Sequence, residues 1–420
     1  MKVLVVNNFV RQGSGIDASV NLEVRALSRR GHQVDVVRRD NAAFERASGP
    51  ARAALLASSL YSVPVGLELS RRLQAARPDV VHLHNLVPFV TGAAYDACRR
   101  HGVPTVQHLR NYRAFCLSSY AYRDGRPCDA CARSAFAASV LHKCYRGSYA
   151  ASAALCAARW VDWARGRRSG YGADAYIANS AFTAERHVAH GLPAGDVRVL
   201  LNPAEDLGAL LPGGAQAQVC RSAATPPRLT FVGSLIAAKG VWPALELAAA
   251  LPEFEVRFVG TGDDEPELRQ AAHRRALANV TFQGLLSGAT KAAAWAESFL
   301  TLVPSLWDEP FGLVVPESYS LGVPVLATTS GGLAETVKDG TTGLRLDASR
   351  LDDAVARVRE LWNDQPRYLA MRAAARAEYE LRYTEEAFAA RLEELLAEAA
   401  SAGARAGAGA RAQGRAGAQS

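Results

Sequence analysis

Long apolar runs are what this sequence most plainly lacks. No stretch of about 18 or more uninterrupted apolar residues occurs in its 420 residues, so no segment reads as a membrane-spanning helix. Charge of one sign is also scarce. The net charge is only +7, and the last twenty residues hold Arg405, Arg411 and Arg415 with no acid. That mild excess suits small anionic ligands or an anionic membrane surface and is too small to argue for nucleic acid. Asp-x-Asp occurs nowhere, which removes a familiar carboxylate grip on a nucleotide-bound divalent ion. The opening Met1–Asn7 reads as a first strand, too short for a signal peptide, so the expected location is the cytoplasm. In that compartment the seven cysteines are not expected to pair as disulfides.

Apolar content is plentiful, at 49%, enough for two domains of about 200 residues each. Strand candidates at residues 3–6, 34–37, 80–84, 104–108, 175–179 and 197–201 alternate with helical patterns, as in parallel βαβ units. The second half repeats the alternation at 229–233, 255–259, 280–283, 299–303, 323–327 and 343–346. The expected architecture is α/β, with Rossmann-like parallel sheets whose C-terminal strand ends gather ligands. Pro- and Gly-rich residues 204–227 read as a linker between a first domain, 1–203, and a second, 228–384. Residues 401–420, almost wholly Ala, Gly, Arg, Gln and Ser, read as a disordered tail.

Two glutamates eight positions apart carry the strongest chemical signal, in Pro304-Ser305-Leu306-Trp307-Asp308-Glu309-Pro310-Phe311-Gly312-Leu313-Val314-Val315-Pro316-Glu317. Glu309 falls in the loop after an apolar strand. Glu317 follows a proline suited to opening a helix, where the helix dipole keeps a carboxylate ionised and ready to accept hydrogen bonds from a vicinal diol such as ribose. Glu309 beside the Pro-Phe-Gly turn suits the hydroxyls of a second sugar. A surface helix with an acidic start is the plain alternative. Upstream, Gly233-Ser234 precedes Lys239-Gly240 by four residues; downstream stand Gly331-Gly332-Leu333-Ala334-Glu335 and Asp339-Gly340-Thr341-Thr342-Gly343.

Together these segments resemble the family-4 retaining glycosyltransferases, whose signature is Glu-x7-Glu, and the resemblance runs from Met1 to about Leu395. It implies the GT-B fold: two Rossmann-like domains facing a cleft, with a final helix at 385–400 crossing back to the first. It also implies a donor site made of Gly13, Gly15, Gly233, Ser234, Lys239, Gly260, Gly262, Glu309, Phe311, Gly312, Leu313 and Glu317. Lys239 matches the cation that holds the donor pyrophosphate, whereas the family's arginine is replaced by Ser234. Gly13-Ser14-Gly15-Ile16-Asp17-Ala18 also fits a dinucleotide fingerprint, but the first strand stops near Asn7, too early for that turn. Bare amides at the helix start still suit a phosphate or hydroxyl-rich ligand.

Residues 104–148 resemble a cysteine-bearing branch of the same family. The acceptor-site histidine usual there aligns with Arg110, with His108 two residues earlier, so either could position an acceptor. Cys116, Cys128, Cys131 and Cys144 include one Cys-x-x-Cys and offer ligands for a structural zinc, with His142 to spare; reduced, partly buried thiols are the alternative. Cys98, Cys156 and Cys220 read as inert. Residues 150–168 place Trp160 and Trp163 on a helix with Arg159, Arg165, Arg167 and Arg168, either an interfacial helix on anionic lipid or one packed on its own domain.

The function expected is transfer of a hexose-type sugar from a nucleotide-diphosphate donor, UDP- or GDP-linked, to a hydroxyl acceptor such as a surface polysaccharide, glycolipid or secondary-metabolite precursor. No cofactor is expected to be required. Lys239, Glu309, His108 and Arg110 are the expected catalytic groups. A nucleotide-sugar epimerase and a non-catalytic carbohydrate-binding relative remain open; the former would need acid and base groups around a free product, and the Ser234 departure keeps the latter in play.

Overall fold

The computed structural model describes residues 1–9, 15–40, 46–167, 171–212 and 226–417. Its chain divides into two compact units: Met1–Ala121, Asp129–Leu201 and Glu385 onward form the first, and Tyr122–Cys128 with Asn202–Thr384 the second. In the first unit, six parallel strands, β1 (Lys2–Phe9), β2 (Gln33–Asp40), β3 (Val80–Leu83), β4 (Thr105–Leu109), β7 (Ala175–Ala178) and β8 (Val197–Val199), stand in the order β2-β1-β3-β4-β7-β8. β5 (Tyr122–Arg123) and β6 (Arg126–Pro127) make a small antiparallel hairpin. β1 is apolar on both faces because helices cover both. Val3 and Val5 join a core with Val20, Leu27 and Ile177, while Leu4 and Val6 join another with Val37, Leu69 and Leu83.

The second sheet, β9 (Arg228–Val232), β10 (Glu255–Val259), β11 (Val280–Gly284), β12 (Leu300–Val303), β13 (Val325–Ala327) and β14 (Gly343–Arg345), is also wholly parallel, in the order β11-β10-β9-β12-β13-β14. Each sheet thus has a point where the strand order reverses, between β1 and β3 and between β9 and β12. Loops leaving neighbouring strands there diverge and leave a crevice. All twelve strand candidates read from the sequence are strands, with ends shifted by a few residues.

Two segments depart from expectation. Residues 204–227 do not behave as linker throughout. Leu207 is buried against Trp295, Leu321 and Val323, and Arg376 clasps Asp206 at 2.8 and 2.9 Å, so the segment's start belongs to the second unit's core; 213–225 lie outside the described residues. Proline and glycine weighed heavily in the sequence reading, and the apolar Leu207, Leu210 and Leu211 went unweighed. The expected disordered tail is instead helical in its backbone: one helix runs Glu385–Gly417. Alanine and arginine are strong helix formers, so a composition that cannot build a core can still extend a helix that is already anchored.

That helix lies over the first sheet. Phe388, Leu392 and Leu396 are buried among Val3, Val5, Val80 and Val106, and Glu385 accepts from Arg25 and Arg29, each at 2.7 Å. The fully buried Leu392 gives a direct measure of this packing. Leu392→Ala should destabilise the first unit by about 2–5 kcal/mol, read from the midpoint of its urea transition; a shift below about 0.5 kcal/mol would mean the helix is not part of that core.

Candidate active site

In the second unit the loops leaving β9 and β12 meet at the reversal point. Lys239 sits just before Gly240, and Glu309 in the loop after β12. The Lys239 ammonium donates to Glu309 Oε1 at 2.6 Å, the Ser305 hydroxyl donates to the same oxygen at 2.8 Å, and the ammonium lies 5.0 Å from the centre of the Trp307 ring. Glu309 is buried to 4% exposure, yet its carboxylate is compensated by a cation and a hydroxyl donor, as burial of charge demands. Its backbone is fixed by the glycine pair downstream. Gly332 N–H donates to the Glu309 carbonyl at 2.7 Å, and Gly331, at φ +65°, approaches so closely that a Cβ there would strike the Glu309 backbone. The Gly-Gly-x-x-Glu run thus shapes the glutamate's loop.

Glu317 lies in the first turn of the short helix Val314–Ser320, which starts two residues earlier than Pro316 suggests. One of its oxygens accepts from Lys291 Nζ at 2.8 Å, a cation that the sequence reading missed because nothing in its spacing marks it. Ser234 is exposed and uncharged, so in the described part of this unit Lys239 and Lys291 are the cations on the two signature glutamates. Gly260, at φ +137°, passes against the Gly233 carbonyl, and Gly262 against the Leu235 backbone, so the loops after β9 and β10 are packed main chain to main chain. Gly312, at φ +82°, and Leu313 lead half-buried into the helix, whereas Phe311 is buried edge-on against Tyr383, 6.1 Å away, and serves as an anchor.

In the first unit Gly13 and Ser14 lie outside the described residues, and Gly15 opens the helix Gly15–Arg29. That helix carries Glu23 into a buried cluster with His82 on β3, His84 just past it, His108 on β4 and Arg110 one residue beyond β4. Glu23 Oε1 accepts from His82 Nδ1 at 2.6 Å and His84 Nε2 at 3.1 Å; Arg110 Nη2 reaches Glu23 Oε2 at 3.3 Å and His108 Nδ1 at 3.3 Å. Burial works against charge throughout. It lowers the His84 imidazole to about 4 and His108 well below its ordinary range, and draws the Arg110 guanidinium down to about 10. Burial also pushes the Glu23 carboxyl up, but His82 and His84 outweigh it and leave it well below the ordinary carboxylate value. Of this cluster only His108 and Arg110 were expected. The His82-Leu83-His84 alternation places two imidazoles on one face of a strand and was legible; Glu23 had no local signal.

His84, His108 and Arg110 also line a pocket within the first unit, closed further by Asn111, Arg113, Asp162 and His187. Arg159 and Arg167 turn inward to Asp162, and Arg165 to Asp96, so the arginines expected to face lipid are engaged by the unit itself, apart from Arg168, which lies outside the described residues. The expected zinc quartet is not assembled: no three of the sulfurs of Cys116, Cys128, Cys131 and Cys144 lie within 4.8 Å of one another. Cys131 is instead buried in an apolar cluster with Leu117, Phe136 and Leu155, and Cys116 Sγ contacts the Ser118 hydroxyl at 3.2 Å. None of the six described cysteines is in a disulfide; Cys220 lies outside the described residues.

Known proteins resemble this chain in sequence and in fold. Residues 13–205 match the family model described as Glycosyltransferase Family 4, and residues 216–378 the model described as Glycosyl transferases group 1. A GDP-mannose-dependent alpha-mannosyltransferase of Mycobacterium tuberculosis is 30% identical over 374 residues, covering 84% of this chain and 87% of that protein. The chain belongs to the family-4 glycosyltransferases. The protein of the same name from Mycolicibacterium smegmatis is 28% identical over 87% of this chain and 89% of its own. The solved structure of Anabaena Alr3699/HepE in complex with UDP and glucose superposes with a TM-score of 0.65 at 18% identity over 95% of this chain and all of that one, which establishes the GT-B fold. The family is retaining and uses nucleotide-sugar donors, so this glycosyltransferase is a hexosyltransferase that keeps the anomeric configuration of its donor.

His187 gives the first-unit pocket a pH signature. Its Nδ1 accepts from the Tyr171 hydroxyl at 2.7 Å and its Nε2–H donates to the Asn111 carbonyl at 3.1 Å, and burial lowers its imidazole from 6.5 to about 3. The unfolded chain therefore takes up this proton first as pH falls. The stability that comes from keeping His187 neutral is complete above about 6.5 and is lost toward 3. His187→Asn should flatten the slope of unfolding free energy against pH between about 6 and 4, by up to about 1.4 kcal/mol per pH unit. Equal slopes in variant and parent would show that His187 is protonated in the folded state.

Proposed function

We propose that the enzyme transfers a mannosyl group from GDP-mannose to a hydroxyl acceptor without a bound divalent ion. The observation that carries this reading is the Lys239–Glu309 pair at the strand-order reversal of the second sheet, taken with the extended similarity to GDP-mannose-dependent mannosyltransferases. In the reaction, the bond between the sugar's anomeric carbon and the donor's β-phosphate oxygen breaks as the acceptor oxygen bonds the same face of that carbon. The acceptor's proton passes to the departing phosphate oxygen, so no protein carboxylate need become covalently attached. Lys239 supplies positive charge where the diphosphate's negative charge grows, in a site where the field is little screened. Glu309 receives sugar hydroxyls, and Glu317 the ribose diol, its charge held in place by Lys291. Arg110 and His108, in the wall of the first-unit pocket, orient the acceptor.

Acceptor-independent hydrolysis of a panel of GDP- and UDP-sugars should show GDP-mannose turned over fastest. Lys239→Ala should lower kcat by about a hundredfold or more, and Glu317→Gln should weaken nucleotide binding in calorimetry by about 1.5–3 kcal/mol, while EDTA changes neither rate nor affinity. Loss of activity with EDTA, restored by Mg²⁺, would overturn the metal-free mechanism. Preference for a UDP-sugar would overturn the donor.

Among the described residues no helix is long and apolar enough to cross a membrane. A peripheral seat on anionic lipid is favoured by exposed Leu141, Tyr149, Trp160 and Trp163, with Lys143 over the Tyr149 ring at 4.6 Å. Co-sedimentation with phosphatidylglycerol vesicles, reduced by Trp160→Ser with Leu141→Ser, would support that seat; equal pelleting of parent and variant would refute it.

A further inference from the structure

The buried cluster of the first unit has more ligating capacity than acceptor positioning uses. Glu23, His82, His84 and His108 each offer one donor atom, all four within 4.8 Å of one another, and all four residues are buried. Their hydrogen bonds fix the tautomers. A guanidinium only donates, so Arg110 Nε, 3.4 Å from His84 Nδ1, and Nη2, 3.3 Å from His108 Nδ1, require both of those nitrogens to be bare. His84 then carries its proton on Nε2 and gives it to Glu23, and His82 gives its Nδ1 proton to the same oxygen. Two ring atoms are left over. His82 Nε2 and His108 Nε2 are buried with no hydrogen-bond partner. Leaving such atoms unmet costs about 1–3 kcal/mol each. A cluster of three imidazoles and one carboxylate has the donor chemistry that suits a zinc-type ion.

We propose that Glu23, His82, His84 and His108 form a binding site for a divalent transition-metal ion, and that Arg110 is its built-in competitor. The guanidinium donates to three of the four residues an ion would take, so it already serves as the cation of the site. Ion and guanidinium cannot share it, since together they would set three positive charges against the single negative charge of Glu23. A tetrahedral Zn²⁺ at about 2.0–2.2 Å from each donor needs donors about 3.5 Å apart, a contraction of about an ångström from the present limit once Arg110 withdraws into the pocket it lines. Binding converts the His82 and His108 ring nitrogens from unmet groups into ligands. An imidazole that must turn over its tautomer to face the ion keeps its single proton and moves it to the other ring nitrogen. The proposed transfer reaction needs no metal, but it shares His108 and Arg110 with this site. Occupancy of the site would remove Arg110 from the acceptor pocket.

Equilibrium dialysis of the full chain against Zn²⁺, with Co²⁺ absorption reporting coordination, tests the site. Arg110→Ala should bind one equivalent at least about tenfold more tightly than the parent, and adding His82→Ala or Glu23→Gln should reverse that gain. Co²⁺ should give the intense visible bands of a four-coordinate ion. Circular dichroism checks that each variant is folded; should the histidine variants unfold, imidazole resonances of the parent titrated with Zn²⁺ decide the matter. Early shifts at His82 and His108 support the site. Shifts confined to surface histidines such as His142, or a folded Arg110→Ala protein that takes up no stoichiometric metal, would overturn it.

Discussion

A parallel sheet delivers the C-terminal ends of all its strands to one edge, and where strand order reverses, two adjacent loops part and leave a gap between them. Both units of this enzyme are built around that constraint. In the second, it brings Lys239, at the end of the loop after β9, to Glu309, in the loop after β12, across 70 residues of sequence. In the first, it gathers Glu23 from the helix after β1, His82 from β3, His84 from just past it, and His108 from β4. The chemistry of each unit is therefore fixed by topology before any side chain is chosen, and the side chains then answer to burial.

Burial is the second influence on both clusters, and it acts oppositely in the two. Glu309 is compensated close at hand by one ammonium and one hydroxyl, and the lysine remains partly exposed, so ligand groups can replace either partner. Glu23 has no exposure at all and is held by two imidazoles and a guanidinium that are themselves dehydrated. Exchanging partners there means exchanging a whole cation, a far stiffer requirement than swapping hydrogen bonds at a half-open site.

Much of this was legible in the chain. Apolar runs alternating with helical patterns located all twelve strands of the two parallel sheets, since a strand covered on both faces needs no polar alternation, whereas the two-residue strands β5 and β6 carry no such run. The Glu309 and Glu317 spacing marked the loop that meets Lys239, and Gly331 and Gly332 shape the backbone of that loop. What could not be read was any contact made across long sequence distance without a repeating pattern: Lys291 on Glu317, Glu23 beneath the histidines, Leu207 in the second core. The cysteine spacing left zinc ligands and partly buried thiols both open; Cys131 lies in an apolar cluster with Leu117 and Phe136 that no local spacing marks. The alanine-rich tail was misread because inability to bury is not inability to form a helix.

The route of the chain through the two units carries a last implication, one of timing. The second unit is a continuous insertion from Asn202 to Thr384, joined by the short hairpin segment, whereas the first needs Phe388, Leu392 and Leu396 to close its core over Val3 and Val5. Emerging from a ribosome, the second unit has its whole sheet available while the first still shows water the apolar face that its last helix will cover. The N-terminal half of the chain is thus the last to finish folding, the reverse of the usual vectorial order. Any factor that shields nascent apolar surface would find its substrate in the open flank of β1, β3 and β4, for as long as translation of some two hundred residues takes.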